Sequence, residues 1–201
     1  MEKRNIGILA SINWNSKKWA DYATKKDIDN SKFAYVIEYE RAHEDLNFGH
    51  EKFPIEKDGY YIGYTSMFNK LPSVTESKYV DIIFFKSHNH KTKKNYIVGF
   101  YAFPIIGDVL RKAIHDYFDE YNGGNFKSVP EHILLLKNPI EISNEINEKE
   151  RYLPSGKLLG QQGFNYLTKE NVFRILDKAT QLNPEDKKLK SIKFKILKEN
   201  N

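Results

Sequence analysis

The sequence predicts an α+β fold in which a small curved β-sheet or β-barrel is flanked by helices. Short apolar runs rich in aromatic and β-branched residues recur along the chain between polar turns, which is typical of strands. Two other segments, residues 107–121 and 169–182, repeat their apolar residues at the helical spacing. Many short strands closed by a few helices make a curved sheet or a barrel the most economical arrangement.

Length and composition favour one domain that spans residues 1–201. The 201 residues are 40% hydrophobic, 14% aromatic and 29% charged, which excludes a disordered chain and a membrane protein. We therefore expect a soluble, cytoplasmic protein with no membrane partner, and the lack of cysteine fits that compartment. The net charge of +5 favours an anionic partner.

Apolar runs bounded by polar residues define the predicted strands. A polar hairpin loop joins residues 79–86 to residues 95–103, so these two runs should pair antiparallel. The run at 189–197 alternates apolar residues with lysine, which predicts an edge strand with a basic outer face. The remaining predicted strands are residues 5–12, 33–39, 59–65 and 132–137.

Helix signals occur at three places. In residues 107–121 the apolar side chains fall on one helical face, and the following glycines end the predicted helix. Thr168 is the predicted N-cap of a helix over residues 169–182. Residues 13–16 are expected to form a turn in which Ser16 caps a short helix, and residues 138–163 are expected to be irregular.

The sequence contains no motif of an established catalytic site. A Walker loop, a dinucleotide-binding glycine motif, a nucleophile elbow and a zinc-protease motif are all lacking, so we expect no catalytic residues and no cofactor. His88, Asn89 and His90 are expected at a solvated hairpin tip. His43 and His50 match no metal-ligand spacing, so a mobile surface loop is expected there instead of a metal site.

Four segments in a fixed order resemble one known superfamily. An opening strand leads into "SINWNSKKW", followed by "GYYIGYT", the hairpin "DIIFFKSHNHKTKKNYIVGFYAF" and the late segment "GQQGFNYLTKENVFRILDKA". Together they resemble the PUA-like superfamily in its EVE and YTH-like branch, especially the N-terminal DNA-recognition domains of McrB-type modification-dependent restriction systems. The resemblance implies a small β-barrel whose mouth accepts a nucleobase among aromatic side chains. Because catalytic motifs are lacking, we also expect a recognition module that is no catalyst on its own and is normally part of a larger protein with an NTPase or nuclease.

The resemblance implies two kinds of binding residue, one for the base and one for the phosphates. Base-binding residues would be Trp14, Asn15, Ser16, Trp19, Tyr60 and Tyr64. Trp14 and Trp19 can alternatively serve as core residues, because tryptophan is mostly buried in folded proteins. Phosphate-binding residues would be Lys86, Lys91, Lys93 and Lys94 on one basic rim, and Lys190, Lys193 and Lys195 on another.

The resulting functional hypothesis is recognition of a modified base that is flipped out of DNA. An extruded base loses stacking and pairing energy, and an aromatic cage returns about 1–3 kcal/mol for each stacked base. Two other classes of function stay open. One is an RNA-binding PUA-like module, because single-stranded RNA is also bound by stacking and lysine contacts. The other is a basic protein-interaction domain in which all aromatic residues belong to the core.

Overall fold

The computed structural model describes residues 5–68, 80–110, 123–159 and 163–200, and for residues 109 and 110 only the backbone. The described strands are β1 (Asn5–Ser11), β2 (Tyr61–Gly63), β3 (Ile82–Asn89), β4 (Lys94–Ala102), β5 (Ile105–Leu110), β6 (Gly123–Ser128), β7 (Ile133–Ile142) and β8 (Asn165–Thr168). The described helices are α1 (Lys25–Asp29), α2 (Ala34–Glu38), α3 (Asn144–Glu150), α4 (Lys169–Leu182) and α5 (Lys187–Glu199). The α+β class is therefore confirmed.

The strands form two sheets that are not closed into a barrel, so the barrel form of the prediction is wrong. The larger sheet has five strands in the order β7-β4-β3-β1-β8, and the smaller has three in the order β2-β6-β5. In the larger sheet β1 pairs parallel with β3, while β4 pairs antiparallel with both β3 and β7. Strands β1, β3 and β7 consequently run in one direction. We call the edge where they end the carboxyl edge; β4 and β8 begin there.

Both faces of the five-stranded sheet are covered. One face packs Phe84, Phe100 and Leu167 against the apolar stripes of α4 and α5. The other face packs Phe85 and Tyr101 against the smaller sheet and against the segment that carries Trp19. A strand that is buried on both faces needs apolar residues at consecutive positions, which explains the unbroken run at the start of β3.

The antiparallel pairing of the predicted hairpin is confirmed. Phe84 of β3 lies opposite Phe100 of β4, and the two strands are joined by a polar loop of residues 90–93.

The predicted cap of α4 is confirmed as well. The Thr168 hydroxyl accepts a hydrogen bond from the Asn171 backbone N–H, and the Asn171 side chain accepts one from the Thr168 N–H. This reciprocal pair satisfies N–H groups that a helix start leaves without partners.

Two predicted strands are helices. Residues 33–39 contain α2, in which Val36 is buried while Tyr39 follows directly. Residues 189–197 belong to α5, which begins after the N-cap Asp186. Leu189, Ile192 and Ile196 face the core in α5, so the buried positions follow the helical period. Within the described part of the chain, no helix is both long enough and apolar enough to cross a membrane.

Other local predictions are corrected by the strand and helix bounds. Residues 107–110 lie in β5, whereas residues 111–121 of the predicted helix lie outside the described residues. The segment at 138–163 contains the end of β7 and the helix α3. Ser16 does not start a helix, because α1 begins at Lys25 with Thr24 as its N-cap. Ser16 donates its hydroxyl to Asp27 of α1 at 2.6 Å instead.

We expect Gly99→Ala to destabilise the sheet. An added Cβ at Gly99 would lie 2.4 Å from the backbone oxygen of Leu134 in β7 and 2.7 Å from the ring of Phe48. The oxygen belongs to a paired strand and cannot move aside, so the free energy of unfolding should fall by about 1–3 kcal/mol. Urea unfolding monitored by circular dichroism measures this change.

Gly107→Ala on β5 is the matched control, because no atom beyond its neighbours lies within 4 Å of an added Cβ there. Its stability should stay unchanged or rise slightly, since alanine restricts the unfolded chain more than glycine does. Equal stabilities of the two variants would contradict the close packing at Gly99.

Candidate functional site

An open cleft of about 1150 Å³ lies at the carboxyl edge of the five-stranded sheet. The ends of β1 and β3 and the start of β4 form its base, and the first turn of α3 borders it. The segment of residues 32–39, which contains α2, forms the opposite side. Residues from many separate parts of the chain therefore meet in this cleft.

Aromatic side chains form one side of the cleft. Phe33, Tyr35, Tyr39 and Tyr64 all line it, and we call these four residues the aromatic wall. Tyr35 and Tyr39 are four residues apart, so the single turn of α2 places them on the same face. Tyr39 is 63% exposed, whereas the other three are half-buried. The outer part of the wall is thus open to a ligand.

A buried carboxyl group holds Tyr35 in place. The Tyr35 hydroxyl donates to Glu44 Oε1 at 2.5 Å, and the Ser66 hydroxyl donates to the same oxygen at 3.2 Å. Glu44 is 0% exposed, and burial raises its pKa although these hydrogen bonds oppose the change. Burial, followed by the nearby Glu44, raises the pKa of Tyr35 as well. The Tyr35 ring is therefore fixed at its polar end by a buried acceptor.

The segment around Glu44 is part of the core, so the expected mobile surface loop is wrong. Residues 44–49 are all buried, and His43 at their start is half-buried and lines the cleft. Asp45 Oδ1 accepts from the Asn15 side chain at 2.9 Å, and Asp45 Oδ2 accepts from the Ala23 N–H at 2.8 Å. Burial raises the pKa of Asp45 to about 7. Two adjacent buried carboxyl groups thus lie behind the aromatic wall.

The turn that carries the two tryptophans packs into the core beside the cleft and does not line it. Trp19 is 3% exposed, and its indole N–H donates to the Asn13 carbonyl at 2.8 Å. Trp14 is half-buried with its ring edge-on to Trp19 at 5.7 Å. Asn13 also accepts from the Ser31 hydroxyl at 2.7 Å, which ties the turn to the segment that precedes α2. The core alternative therefore holds for Trp19.

The remaining predicted base-binding residues have separate surroundings. The Asn15 side chain is buried. Its amide NH₂ group donates to the Asp45 carboxylate and to the Asp21 carbonyl, and its amide oxygen accepts from the Lys17 N–H. Tyr60 lies away from the cleft, with the Lys127 ammonium 4.5 Å from its ring centroid. Of the six predicted base-binding residues, Tyr64 is the one that lines the cleft.

The predicted basic residues divide between the two ends of the sheet. Lys86 lines the cleft, and Lys91, Lys93 and Lys94 are exposed on the adjoining hairpin, where Lys94 pairs with Glu141 at 2.9 Å.

The second predicted rim, Lys190, Lys193 and Lys195, belongs to α5. Asn200, which follows this helix, donates to Asp81 just before β3 at 2.8 Å, so the C-terminal end of α5 lies at the edge opposite the cleft. Lys193 pairs there with Asp177 at 2.6 Å, and Lys195 lies 3.2 Å from His132.

Sequence reasoning missed several residues of the cleft, namely Lys32, Phe33, Tyr35 and Tyr39, and it expected His88, which is half-buried and lines the cleft, at a solvated hairpin tip. The aromatic content of residues 33–39 was visible as a signal, but its alternation was interpreted as a strand. Within the described residues, no group of three or more histidine and acidic side chains is placed to hold a metal ion. No protein-family model, no curated protein and no solved structure matches this chain.

We expect Tyr35→Phe to destabilise the protein, because it removes the shortest hydrogen bond to a buried carboxyl group. A buried acceptor that loses a partner costs about 1–3 kcal/mol in free energy of unfolding. Tyr39→Phe is the matched control, since Tyr39 is exposed on the same wall and should tolerate the change. Chemical unfolding of both variants measures the difference, and equal stabilities would contradict the anchoring of Tyr35 by Glu44.

We expect Asp45 to make stability depend on pH. Its pKa rises from 3.8 to about 7 on folding, so the folded chain holds this proton more tightly than the unfolded chain. The stabilising effect of the proton is complete below the unfolded pKa and is lost as the pH rises through the folded pKa. Between these pKa values Asp45 should therefore lower the free energy of unfolding by about 1.4 kcal/mol for each pH unit.

Urea unfolding from pH 4 to pH 8 tests this prediction. Asp45→Asn should remove the contribution of Asp45 to the slope of unfolding free energy against pH. This holds even if the substitution also changes the stability at any single pH. Asp29→Asn is the control, because Asp29 is exposed on α1 and pairs with Lys25 there. The prediction fails if Asp45→Asn and the original chain show the same pH slope.

Proposed function

We propose that this chain is a recognition module that binds one base of a nucleic acid in the cleft, with a modified base flipped out of DNA as the favoured ligand. The observation that carries the proposal is the composition of the cleft. Its aromatic wall and the cationic residues Lys32 and Lys86 line the same open space. Aromatic rings stack on a base, and lysine neutralises the phosphate beside it.

The aromatic wall suits a planar ligand better than a metal or a charged metabolite. Tyr35 is held by Glu44, so its ring offers a fixed surface, while the exposed Tyr39 extends that surface towards solvent. Ser66 and Asn95 add polar groups to the same cleft. Such groups can read the edge of a base that stacks on the wall.

Charge around the cleft supports a polymeric anion as partner. Lys91 and Lys93 are exposed on the hairpin next to His88, close to where a strand entering the cleft would pass. Contacts of this kind position the nucleic acid without reading its sequence. We assign Lys190 and its neighbours on α5 to a separate, weaker contact at the opposite edge.

The wider proposal keeps the other expectations drawn from the sequence and leaves out the barrel. It includes membership of the PUA-like superfamily and a cytoplasmic location. It also includes the absence of catalysis by this chain alone and attachment to an NTPase or nuclease. A protein-interaction domain whose aromatic residues are all core fits less well, because Tyr39 is 63% exposed at the cleft. DNA and RNA use the same stacking contacts, so the choice between them is an outcome of the test.

We expect Tyr39→Ala to weaken base binding while leaving the fold intact. Loss of one stacking surface costs about 1–3 kcal/mol, which corresponds to a decrease in affinity of about 5-fold to 150-fold. The matched control is Ile37→Ala, because Ile37 is 51% exposed on the same helix and does not line the cleft. Titrations would use duplexes with methylated cytosine or methylated adenine, matched unmodified duplexes, and single-stranded RNA of the same sequence.

A selective loss on a modified duplex, with the salt dependence of binding unchanged, supports the proposal. Removal of stacking takes away no phosphate contact, so the slope of affinity against salt should stay the same. A selective loss on RNA would assign the cleft to RNA instead. Equal affinities of Tyr39→Ala and Ile37→Ala for every ligand would reject the cleft as the base-binding site.

A further inference from the structure

Three cationic or titratable side chains, Lys32, Lys86 and His88, line the cleft, and the charge of Lys32 acts on both of the others. Lys86 and His88 are two residues apart on β3, so they point to the same face of the strand, and both line the cleft. Lys32 reaches the cleft from the segment that precedes α2. Strand pairing fixes two of these positions, because Lys86 lies opposite Ser11 of β1 and His88 lies opposite Asn95 of β4.

Lys86 and Lys32 form no ion pair within the described chain, although the carboxylate of Glu145 also lines the cleft. Lys86 is half-buried, and its pKa is lowered by burial first and then by the charge of Lys32. Among the described carboxylates, none forms an ion pair with Lys86 or Lys32, although Lys94 nearby pairs with Glu141 at 2.9 Å. A half-buried ammonium without a counter-charge is unfavourable, so an anion at this position would stabilise it.

The pKa of His88 is lowered in the same way as that of Lys86. Burial lowers its pKa most, and the charges of Lys32 and Lys93 lower it further, while the hydrogen bond to Asn95 acts in the opposite direction. His88 Nδ1 lies 3.2 Å from Asn95 Oδ1 and donates to this oxygen in the tautomer that carries its proton on Nδ1. Nε2 is then the ring nitrogen that can gain a proton and donate to an anion.

We propose that Lys32, Lys86 and His88 form an anion subsite that holds the phosphate group of the nucleotide whose base contacts the aromatic wall. This inference rests on the proposed function, since it takes the ligand of the same cleft to be a nucleotide. The recognised unit is then a base together with its own phosphate, held inside the cleft. A free phosphate monoester and a phosphodiester within a strand share the required chemistry.

Nuclear magnetic resonance titrations of the full chain test the subsite. The probes are inorganic phosphate, 5-methyl-deoxycytidine, its 5′-monophosphate, and a short single strand that contains the same base. Phosphate should shift the signals of Lys86 and His88, and the monophosphate should bind at least about tenfold more tightly than the nucleoside, as expected for one charge-assisted contact.

Lys86→Met is the decisive variant, because it keeps the alkyl chain and removes a charge that burial disfavours. It should fold at least as well as the original chain and should bind nucleoside and monophosphate with equal affinity. Lys32→Met should reduce the difference between the two ligands. Lys190→Met is the matched control, since Lys190 is exposed on α5, away from the cleft, and should keep the full difference.

The outcomes separate the subsite from the proposed function. Affinities for the monophosphate and for the strand that Lys86→Met leaves unchanged would overturn the subsite while base binding stands. Phosphate shifts at Lys86 and His88 without any nucleoside binding would keep the subsite and reject the base-binding proposal. A Lys86→Met loss seen with the strand and not with the monophosphate would assign the subsite to a phosphodiester.

Discussion

The hydrogen bonds of residues 43–49 hold the cleft and the core together. The side chain of Asn47 pairs in both directions with the backbone of Tyr64, donating at 2.8 Å and accepting at 2.9 Å. The Phe48 N–H donates to the Trp19 carbonyl at 2.9 Å, and the Tyr61 hydroxyl donates to the Leu46 carbonyl at 2.6 Å. A buried irregular segment must satisfy its backbone groups in this way, because water cannot reach them. Displacing the segment would therefore move the tryptophan turn and the aromatic wall together.

The same segment carries two carboxyl groups into the interior, which opposes folding. Glu44 and Asp45 are adjacent and buried, and burial raises the pKa of each. Perturbed carboxyl groups of this kind are concentrated at functional sites in proteins. Here one of them fixes Tyr35 at the cleft and the other fixes the tryptophan turn through Asn15. The buried Glu44 thus fixes one ring of the aromatic wall, that of Tyr35, at its polar end.

Several elements could be predicted from local sequence because their local and tertiary requirements agree. The β3–β4 hairpin combines two apolar runs with a polar loop, and Thr168 caps α4 with the reciprocal hydrogen bonds that its spacing to Asn171 allows. The last helix was misassigned because its apolar residues fit two periods. Ile192, Phe194 and Ile196 alternate as in a strand, but Phe194 is 67% exposed while Leu189 packs in the core with the two isoleucines. The N-cap Asp186 was the available signal for a helix.

The sequence by itself determined the α+β class, the central hairpin, the capped helix α4, and the basic and aromatic composition of the chain. Tertiary structure decided which aromatic residues line the cleft and which belong to the core. Trp19 and Tyr39 are both large aromatic side chains next to charged residues, yet one is 3% exposed and the other 63% exposed. The difference arises because Trp19 packs under the buried residues 44–49, whereas Tyr39 follows a short helix at the open edge of the sheet. Burial depends on which distant segments pack over a residue, and local pattern carries no information about those contacts.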